Sequence, residues 1–403
     1  MSMHLSSQVM TITCQGPVHV GSGEILDPTG YIYDQKNRRA YFLNEPAWVH
    51  LLASRRLLPS FIDYVKQLQL RKKPLYEWCE ANRLTTRDFE QVSVGWAHVP
   101  VQPDRDIRYL NTVSLLTRSA DGRPYIPGSS IKGALRSAIL HHLIKRLNEE
   151  QKRRYWQDFV RLVTQSPNPS MMKKEAKRLI DQLEQNLLHR LNRMDDRGRP
   201  VPSSNAVNSV LQGLRVSDAY PVDNAATHLI RKVDWQIVNQ QNDPEKYLPL
   251  TRECLAPGTK LSCRLTIEPA LLAPIGISSI SEIMEAGAAF TQHVLALEKS
   301  AFASRLRSFF TPYEASNLVI GGGTGFLDKT LAYSLAPQDE ARKTVALMLD
   351  KLFTTKDRRT GQFGPAHNHV ALDKILSPRT LKLGKLQVNR HRMGICRMGI
   401  ESC

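Results

Sequence analysis

"YIPGSSIKGALRSAIL", from Tyr125 to Leu140, contains the clearest helix start in the sequence. A Pro-Gly turn comes first, and Ser129 or Ser130 then supplies a side-chain oxygen of the type that caps a helix. Beyond the serines, apolar residues recur at every fourth position, which is typical of the buried face of a helix: Ile131, Leu135 and Ile139. We therefore expect a helix that begins near these serines and packs against the protein core.

The chemistry of this helix start favours an anion. Unpaired backbone N–H groups and the positive end of the helix dipole lie there, and Lys132 and Arg136 project from one face beside them. A P-loop requires Gly-Lys-Ser/Thr after four intervening residues, whereas Gly128 is followed at that spacing by Gly133 and an alanine. ATP or GTP hydrolysis is therefore not predicted. A polyphosphate backbone remains a candidate ligand, and an ordinary capped helix remains an equal alternative.

The charge balance of the whole chain indicates a polyanionic partner. The 403 residues include 55 Lys and Arg against 38 Asp and Glu, which gives a net charge of +17. Such a surplus attracts nucleic acids or phospholipid surfaces and releases their counterions. The first residues show no signal peptide, and the longest apolar stretch, near "PALLAPIGISSIS", is too short to span a bilayer. We therefore expect a cytoplasmic protein that binds nucleic acid and has no membrane partner.

Neither a cofactor nor a metal site is expected. The six cysteines form no CxxC pair and no cluster with histidines, which argues against structural zinc and against a disulfide framework. His367 and His369 lie close together in the sequence, but two ligands without others are typical of a polar loop.

Strand and helix patterns alternate irregularly along the chain. Strand patterns occur near Val9 to Cys14, in the hairpin "YIYDQKNRRAYFL", in "GLRVSDAYPV", in the strictly alternating "GTKLSCRLTIE", and at the C-terminus. Between them lie helical stretches: about residues 46–89, 145–195, 282–302 and 339–353. Continuous βαβ alternation is absent, so the sequence predicts an α+β fold with antiparallel sheets.

A glycine-rich segment, "VIGGGTGF", follows an apolar run near residue 320. Its glycines allow the main chain to approach a ligand closely or to adopt positive φ: Gly321, Gly322, Gly323 and Gly325. Phe326 occupies the place of the last glycine of a dinucleotide fingerprint, so that motif is not met. Phe326 is either a stacking surface for a base or a core residue, and the sequence leaves both readings open.

The C-terminal segment is rich in basic residues. No acid occurs between Lys374 and Ile400, and alternation with apolar residues predicts that much of the charge lies on one face of a hairpin. The basic side chains are Lys374, Arg379, Lys382, Lys385, Arg390, Arg392 and Arg397.

Signs of catalysis are weak. "GPVHVGSGEILD" is interpreted as a glycine-rich turn that contains His19 and is followed by Asp27. These two residues are candidates for acid–base work on RNA, with Gly21 and Gly23 beside them. No partner base or metal-ligating set is visible nearby, so a structural role for each is favoured.

Five segments, in order over nearly the whole chain, form a set: "GPVHVGSGEILDPTGYIYD", "YIPGSSIKGALRSAIL", "LRVSDAYPV", "GGGTGF" and "TLKLGKLQVNRHRMGICRMG". Together they resemble the RAMP superfamily of CRISPR-associated RNA-binding proteins, and within it the family of the fifth subunit of the type III-A (Csm) effector complex. The resemblance implies ferredoxin-like (RRM-like) cores with large helical insertions. We therefore expect a RAMP/RRM-like domain over residues 1–270, with insertions near 46–110 and 145–205. Residues 271–403 are expected to form a C-terminal RRM-like portion with the glycine-rich loop and the basic hairpin.

The same resemblance implies a non-catalytic subunit that caps the backbone filament of the complex near the 3′ end of the crRNA and supports crRNA maturation in antiviral defence. Its expected partners are crRNA, target RNA and the backbone subunits of the Csm complex, and recruitment of host nucleases is left open. In that family, target cleavage belongs to the repeated backbone subunit. No catalytic role is transferred to Asp27, because the residues around it follow the pattern of the capping subunit. The alternative is a metal-independent RAMP endoribonuclease that processes precursor crRNA with His19 and a nearby Lys or Arg.

Residue patterns and resemblance agree on where the crRNA sugar-phosphate backbone is expected to bind: at the helix start and at the glycine-rich loop. Binding there is expected to be largely independent of base identity, since phosphate contacts position a strand without reading its sequence. The residues expected to contact RNA are Ser129, Ser130, Lys132, Arg136, Gly321, Gly322, Gly323, Gly325, Phe326, Lys382 and Lys385.

Overall fold

The chain forms two large β-sheets and a set of helices that pack against them. The computed structural model describes residues 5–71, 74–100, 111–236, 245–303, 307–357 and 359–401. The strands, in chain order, are β1 (Ser6–Cys14), β2 (Gly21–Leu26), β3 (Tyr31–Asp34), β4 (Arg39–Leu43), β5 (Ser93–His98), β6 (Val113–Leu116), β7 (Leu214–Val216), β8 (Tyr220–Pro221), β9 (Thr227–Gln236), β10 (Glu245–Leu255), β11 (Lys260–Ile267), β12 (Leu318–Val319), β13 (Thr354–Lys356), β14 (Phe363–Pro365), β15 (Thr380–Leu386), β16 (Asn389–Arg392) and β17 (Ile395–Ile400). The helices are α1 (Glu45–Ser54), α2 (Leu58–Arg71), α3 (Leu75–Ala81), α4 (Thr86–Gln91), α5 (Gly128–Arg146), α6 (Glu149–Gln165), α7 (Pro169–Leu188), α8 (Pro269–Leu272), α9 (Ile280–Phe302), α10 (Ala332–Leu335), α11 (Gln338–Leu352) and α12 (His369–Leu372).

The first sheet contains a ferredoxin-like unit. Its main strand order is β12-β17-β1-β11-β7, and each neighbouring pair is antiparallel. Along the chain, β1, α5, β7, β11, α9 and β17 give the succession βαββαβ, and its four strands lie in the spatial order fourth, first, third, second. The predicted α+β fold with ferredoxin-like architecture is therefore confirmed.

The first sheet and its helices share one hydrophobic core. Strand β11 alternates between buried and more exposed side chains along its whole length, as the sequence predicts for a half-buried strand. The apolar stripe of α5 enters the same core, and each of its predicted residues is fully buried: Ile131, Leu135 and Ile139. Burying that stripe fixes which face of α5 is left for solvent, and with it the direction of the polar side chains near its start.

The second sheet has nine strands. Their main order is β2-β6-β10-β9-β5-β4-β3, and in addition β15 pairs with β9 and β16 pairs with β15. Most neighbours are antiparallel, as predicted, but β10 pairs with β6 and β5 pairs with β9 in parallel. Each parallel contact joins strands that are far apart in the sequence, because parallel strands require a long crossover connection.

The predicted helical stretches are confirmed. Helices α1 to α4 fill the stretch near 46–89, α6 and α7 follow α5 in the second stretch, and α9 and α11 account for the last two. Helices α1 to α4 pack over β3, β4 and β5 around a separate apolar cluster that includes Tyr41, Trp48 and Phe89. Among the residues that the structure describes, no helix combines the length and the apolar character needed to cross a bilayer.

Strands from both sides of the boundary predicted at residue 270 lie in both sheets. Strand β17 pairs with β1 in the first sheet, and β15 pairs with β9 in the second. Helix α9 and strand β17 of the ferredoxin-like unit come after residue 270, whereas its other elements come before. The division of the chain into two portions at this residue stays a prediction.

The start of α5 differs from the sequence expectation in one respect. The helix begins at Gly128, and no side chain forms the expected cap, so the prediction that Ser129 or Ser130 caps it is wrong. Instead the N–H group of Gly128 donates to Oδ1 of Asp218, at 2.8 Å, from the loop between β7 and β8. A Cβ atom at Gly128 would lie 2.2 Å from the carbonyl oxygen of Val216. The close approach of this loop therefore requires glycine.

Two glycines of α5 give a matched test of this close approach. Gly128→Ala is expected to lower the free energy of unfolding by about 1–3 kcal/mol, because the loop after β7 must move. Gly133→Ala is expected to raise it by about 0.5–1 kcal/mol, since no atom lies within 4 Å of the added Cβ. Urea denaturation of the full chain measures both changes. Equal effects of the two substitutions would contradict the packing described here.

Candidate nucleic-acid interface

The glycine-rich loop, residues 321–325, packs directly against the segment that contains His19. The N–H group of Gly322 donates to the carbonyl oxygen of His19, with 2.7 Å between the two atoms. Gly321 has a φ of 91°, and a Cβ atom there would lie 2.1 Å from the same carbonyl oxygen. Both the left-handed backbone and the close contact require glycine at this position. Two segments about 300 residues apart in the sequence thus form one structure.

Cationic side chains lie against the other glycines of this loop. The position of a Cβ at Gly323 is 3.4 Å from Nη1 of Arg252, and that of a Cβ at Gly325 is 3.4 Å from Cγ of Lys382. Arg252 lies on β10 and Lys382 on β15, so the second sheet supplies both. The main chain of the glycine-rich loop therefore lies on one side of this site, and the positively charged side chains of Arg252 and Lys382 lie on the other.

Lys232, on β9, belongs to the same group of charges. Burial lowers the pKa of Lys232 to about 8, and the nearby charges of Lys382, Arg252 and Lys329 act in the same direction. Two carboxylates lie near them. Lys382 Nζ donates to Asp234 Oδ2 at 2.6 Å, and Lys232 Nζ lies 3.9 Å from Asp234 Oδ1. Asp328, which pairs with Arg392, has its Oδ2 atom 3.9 Å from the Cβ position of Gly325. We call the four cations Lys232, Arg252, Lys329 and Lys382 the basic cluster. With Asp234 among the four cations, and with Asp328 paired to Arg392, the cluster keeps a net positive charge at pH 7.

Arg252 has an unmet hydrogen-bonding group in this cluster. Its Nη1 atom is buried and has no hydrogen-bond partner within the part of the chain that the structure describes. A buried guanidinium N–H without an acceptor costs free energy, and such groups are rare in folded proteins. An anionic oxygen bound at the glycine-rich loop is the type of acceptor that would satisfy it.

The His19 side chain packs against this site and adds no charge to it. Its side chain is buried, and Nδ1–H donates to the carbonyl oxygen of Glu253, with 2.7 Å between the atoms. Burial lowers the pKa of His19, and the charge of Arg252 lowers it further, so the ring is neutral at pH 7. A Cβ atom at Gly21 would lie 2.9 Å from Nε2 of this ring. Gly21 is therefore needed for packing against His19.

The rest of the predicted turn around His19 is a strand. Residues from Gly21 onward form β2 instead of the expected glycine-rich turn. Gly23 lies in an exposed part of that strand and Asp27 in the exposed turn after it. The structure thus brings His19 and Gly21 to the glycine-rich loop, and leaves Gly23 and Asp27 on the surface.

The start of α5 carries basic side chains, but its first amide is already occupied by Asp218. Burial lowers the pKa of Lys132, and the charge of Arg215 acts in the same direction, so these two cations are near each other. Arg136 pairs with Glu184 of α7 at 3.4 Å. Ser129 is exposed and Ser130 partly exposed. The helix start therefore offers less free charge than the glycine-rich loop does.

Phe326 is partly buried. Its ring packs against the core formed by α9 and α11, and with Arg136 it lines a largely apolar cavity of about 330 Å³. Lys329 of the basic cluster lines the same cavity. The structure thus joins Phe326 and Arg136 at one cavity, beside α6 and α7. Stacking of a base on Phe326 stays a prediction.

The basic C-terminal segment differs from the sequence expectation, because carboxylates, most of them from distant segments, neutralise much of it. Arg392 is fully buried and pairs with Glu298 at 2.7 Å and with Asp328 at 2.7 Å. Arg379 pairs with Asp373, and Arg390 pairs with Glu245 and lies over the ring of Trp235. Lys385 is only 6% exposed, which leaves little of it for a ligand. Of the two lysines predicted to bind RNA here, Lys382 lies at the glycine-rich loop.

Lys232, Arg252 and Lys329 are the members of the basic cluster that sequence reasoning missed. Lys232 follows Arg231 on β9, and Arg252 shares β10 with Lys246, next to buried neighbours such as Val233 and Glu253. A basic residue within a largely buried strand is the signal that was available, and it is weak. Within the described ranges, no group of three or more His, Cys, Asp or Glu side chains is arranged to hold a metal ion.

Known proteins resemble this chain over most or all of its length. A Mycobacterium tuberculosis protein named CRISPR system Cms protein Csm5 is 27% identical and aligns with 100% of this chain and 99% of its own length. The protein of the same name from Streptococcus thermophilus is 27% identical over 64% of this chain and 63% of its own.

Solved structures share the fold. A chain in the cryo-EM structure of a Csm–crRNA–target RNA ternary complex of a type III-A CRISPR-Cas system matches with a TM-score of 0.63 and 19% identity, over 98% of this chain and 100% of that one. The crystal structure of T. onnurineus Csm5 matches with a TM-score of 0.59 and 18% identity, over 96% and 99%. The family model of the RAMP superfamily matches residues 11–283, more than half of the chain. The chain therefore belongs to the RAMP superfamily.

Proposed function

We propose that this chain is a non-catalytic crRNA-binding subunit of a type III-A (Csm) effector ribonucleoprotein, which caps the complex at the 3′ end of the crRNA and supports crRNA maturation. The observation that carries the RNA-binding part is the buried, unpartnered Nη1 of Arg252 in a basic cluster beside the glycine-rich loop. The subunit assignment is supported by the likeness to Csm5 proteins and to a chain of a Csm–crRNA–target RNA complex.

The ligand that fits the loop and the cluster is a ribose-phosphate strand. Phosphate oxygens accept hydrogen bonds from guanidinium, ammonium and backbone N–H groups without reading the base. The glycines lack side chains, so the strand can lie against the main chain while the basic cluster neutralises its phosphates. The portions predicted on the two sides of residue 270 both contribute, since Lys232 and Arg252 come from the first and the loop and Lys382 from the second.

The environment of His19 supports the non-catalytic part of the proposal. A general base or acid must reach the group whose proton it transfers. The His19 ring is 5% exposed and holds the Glu253 carbonyl through Nδ1. In this position it supports the glycine-rich loop, and a precursor-cleaving endoribonuclease would need the ring at the surface.

Arg252 provides the first test of RNA binding. Arg252→Ala is expected to weaken binding to unrelated single-stranded RNAs by about tenfold, because a charge-assisted hydrogen bond is lost. The slope of log K against log salt is expected to become shallower by about one unit for each phosphate contact removed. Arg397→Ala removes an exposed arginine of β17 and serves as the control. An unchanged salt slope in Arg252→Ala would show that this side chain does not contact RNA.

Lys232 provides a pH test. Because its pKa is lowered to about 8, its positive charge is present below that pH and is lost above it. RNA affinity is therefore expected to fall as the pH rises from about 7 to about 9, whereas ordinary lysines stay charged over this range. Lys232→Arg keeps the charge at all these values, so its affinity is expected to change little. Titrations by fluorescence anisotropy compare the two proteins, and the same pH dependence in both would contradict the role of Lys232.

The position in the complex is tested by the RNA that copurifies. The chain is co-expressed with the other Csm subunits and a crRNA precursor, and the 3′ ends of the bound RNA are sequenced. Without the chain, or with Arg252→Ala, we expect longer and more heterogeneous 3′ ends. Unaltered 3′ ends would contradict the capping role. Cleavage of repeat RNA by the isolated chain in EDTA, abolished by His19→Ala, would support the endoribonuclease instead.

A further inference from the structure

A patch of aromatic and imidazole rings lies on the second sheet, apart from the basic cluster. Trp96 and His98 project from the same face of β5, with ring centroids 4.8 Å apart. His98 is paired in register with His228 of β9, and their rings are 5.1 Å apart with 30° between the planes. We call Trp96, His98 and His228 the ring patch. The guanidinium of Arg39 lies over the ring of Trp96, 4.2 Å from the ring centroid, and forms a cation–π contact with it.

A small cavity opens beside the ring patch, between the turns of two hairpins. Its volume is about 240 Å³, and its lining includes His98, His228 and Leu386. Arg38, in the turn between β3 and β4, and Gln387, in the turn between β15 and β16, line it as well. Sites for whole drug-sized ligands run from about 300 to 1,000 Å³. This cavity therefore suits a single planar group rather than a complete nucleotide.

Two uncharged imidazole rings line the cavity, and a charged guanidinium lies at its edge. Burial lowers the pKa of His98, with Arg39 acting in the same direction, and burial together with His98 lowers the pKa of His228 to about 4. Both rings are therefore neutral at pH 7, while the exposed Arg38 is charged. Neutral π surfaces next to a guanidinium are suited to a flat aromatic ligand that is attached to an anion.

His228 also has an unmet hydrogen-bonding atom. Its Nδ1 is buried and has no hydrogen-bond partner among the described residues. The edge of a nucleobase carries both donors and acceptors, so it would satisfy this nitrogen in either tautomer. Among the described residues, no third metal-ligating side chain lies at this site. A nucleobase therefore fits the site better than a metal ion does.

We propose that the ring patch and its cavity bind one unpaired nucleobase of RNA by stacking, with Arg38 contacting the adjoining phosphate. The proposal rests on the proposed function, because it assumes that the chain holds a ribose-phosphate strand at the basic cluster. Strand β9 carries both sites: Lys232 and His228 are four residues apart on one face, about 13 Å at the rise of a β-strand. A few nucleotides of single strand span that distance. Stacking tolerates any base, so this contact adds affinity without sequence preference.

The test compares two ligands with the same phosphates. Full-length protein is titrated with an oligoadenylate and with an abasic ribose-phosphate strand of the same length. The wild type is expected to prefer the oligoadenylate by about tenfold, as a stacked base should. His98→Ala is expected to reduce this preference severalfold, whereas His98→Phe restores a stacking surface and should retain it. His50→Ala removes an exposed histidine of α1 and should change nothing.

The salt dependence separates this proposal from the proposed function. His98→Ala removes no phosphate contact, so its salt slope is expected to equal that of the wild type, unlike Arg252→Ala. Equal binding of both strands by the wild type, with a steep salt slope, would overturn the base site and leave the phosphate site standing. Absence of binding to either strand would overturn both. Loss of copurification with neighbouring Csm subunits in His98→Ala, with the strand preference intact, would assign the patch to a protein side chain and overturn the base site.

Discussion

Strand β1 pairs with β11 on one edge and with β17 on the other, so residues near the two ends of the chain become neighbours in one sheet. This pairing fixes the positions of the segment that follows β1 and of the segment that precedes β17. The segment that leaves β1 carries His19, and the segment that enters β17 carries Gly394, whose N–H donates to the carbonyl oxygen of Pro17 at 2.8 Å. The glycine-rich loop then fits against His19 because β12 is held on the far edge of β17. The β1–β17 contact therefore helps to hold the glycine-rich loop in place beside the basic cluster.

The net charge of +17 is distributed between two roles. Many of the arginines and lysines at the C-terminus stabilise the fold through ion pairs, and Arg392 is buried with two carboxylates, Glu298 and Asp328. Burying the Arg392 guanidinium is tolerated because both carboxyl groups accept its hydrogen bonds, and burial raises the pKa of Glu298 and of Asp328. At the glycine-rich loop, by contrast, Asp234 is the carboxylate that pairs with members of the basic cluster, since the nearby Asp328 is engaged by Arg392. The location of unmatched charge therefore indicates the ligand site better than the density of basic residues along the sequence.

Much of the fold could be predicted from the sequence, because it depends on local patterns. The stripe of α5, the alternation of β11 and the hairpin of β3 and β4 each reflect a period that side chains impose on a buried face. The segments at His19 and at Gly321 to Gly325 were also recognisable, since glycine runs have few structural uses. The pairing of charges was not, because Asp234, Glu245 and Glu298 lie 90 or more residues away from the basic residues they neutralise. Asp218 at the start of α5 is a further case: only the folded chain brings it to the amide that Ser129 or Ser130 was expected to cap.

The strand order of the first sheet bears on when, during synthesis, the proposed RNA site can form. The ferredoxin-like unit begins with β1 and is completed by β17, so its first and fourth strands are separated by nearly four hundred residues. Contacts between such distant segments form late, and chains emerge from the ribosome N-terminus first. Lys232 and Arg252 are thus translated well before the loop they face can be fixed in place. A nascent or truncated chain would carry Lys232 and Arg252 without the glycine-rich loop, and RNA binding that needs both would arise only after β17 has paired with β1.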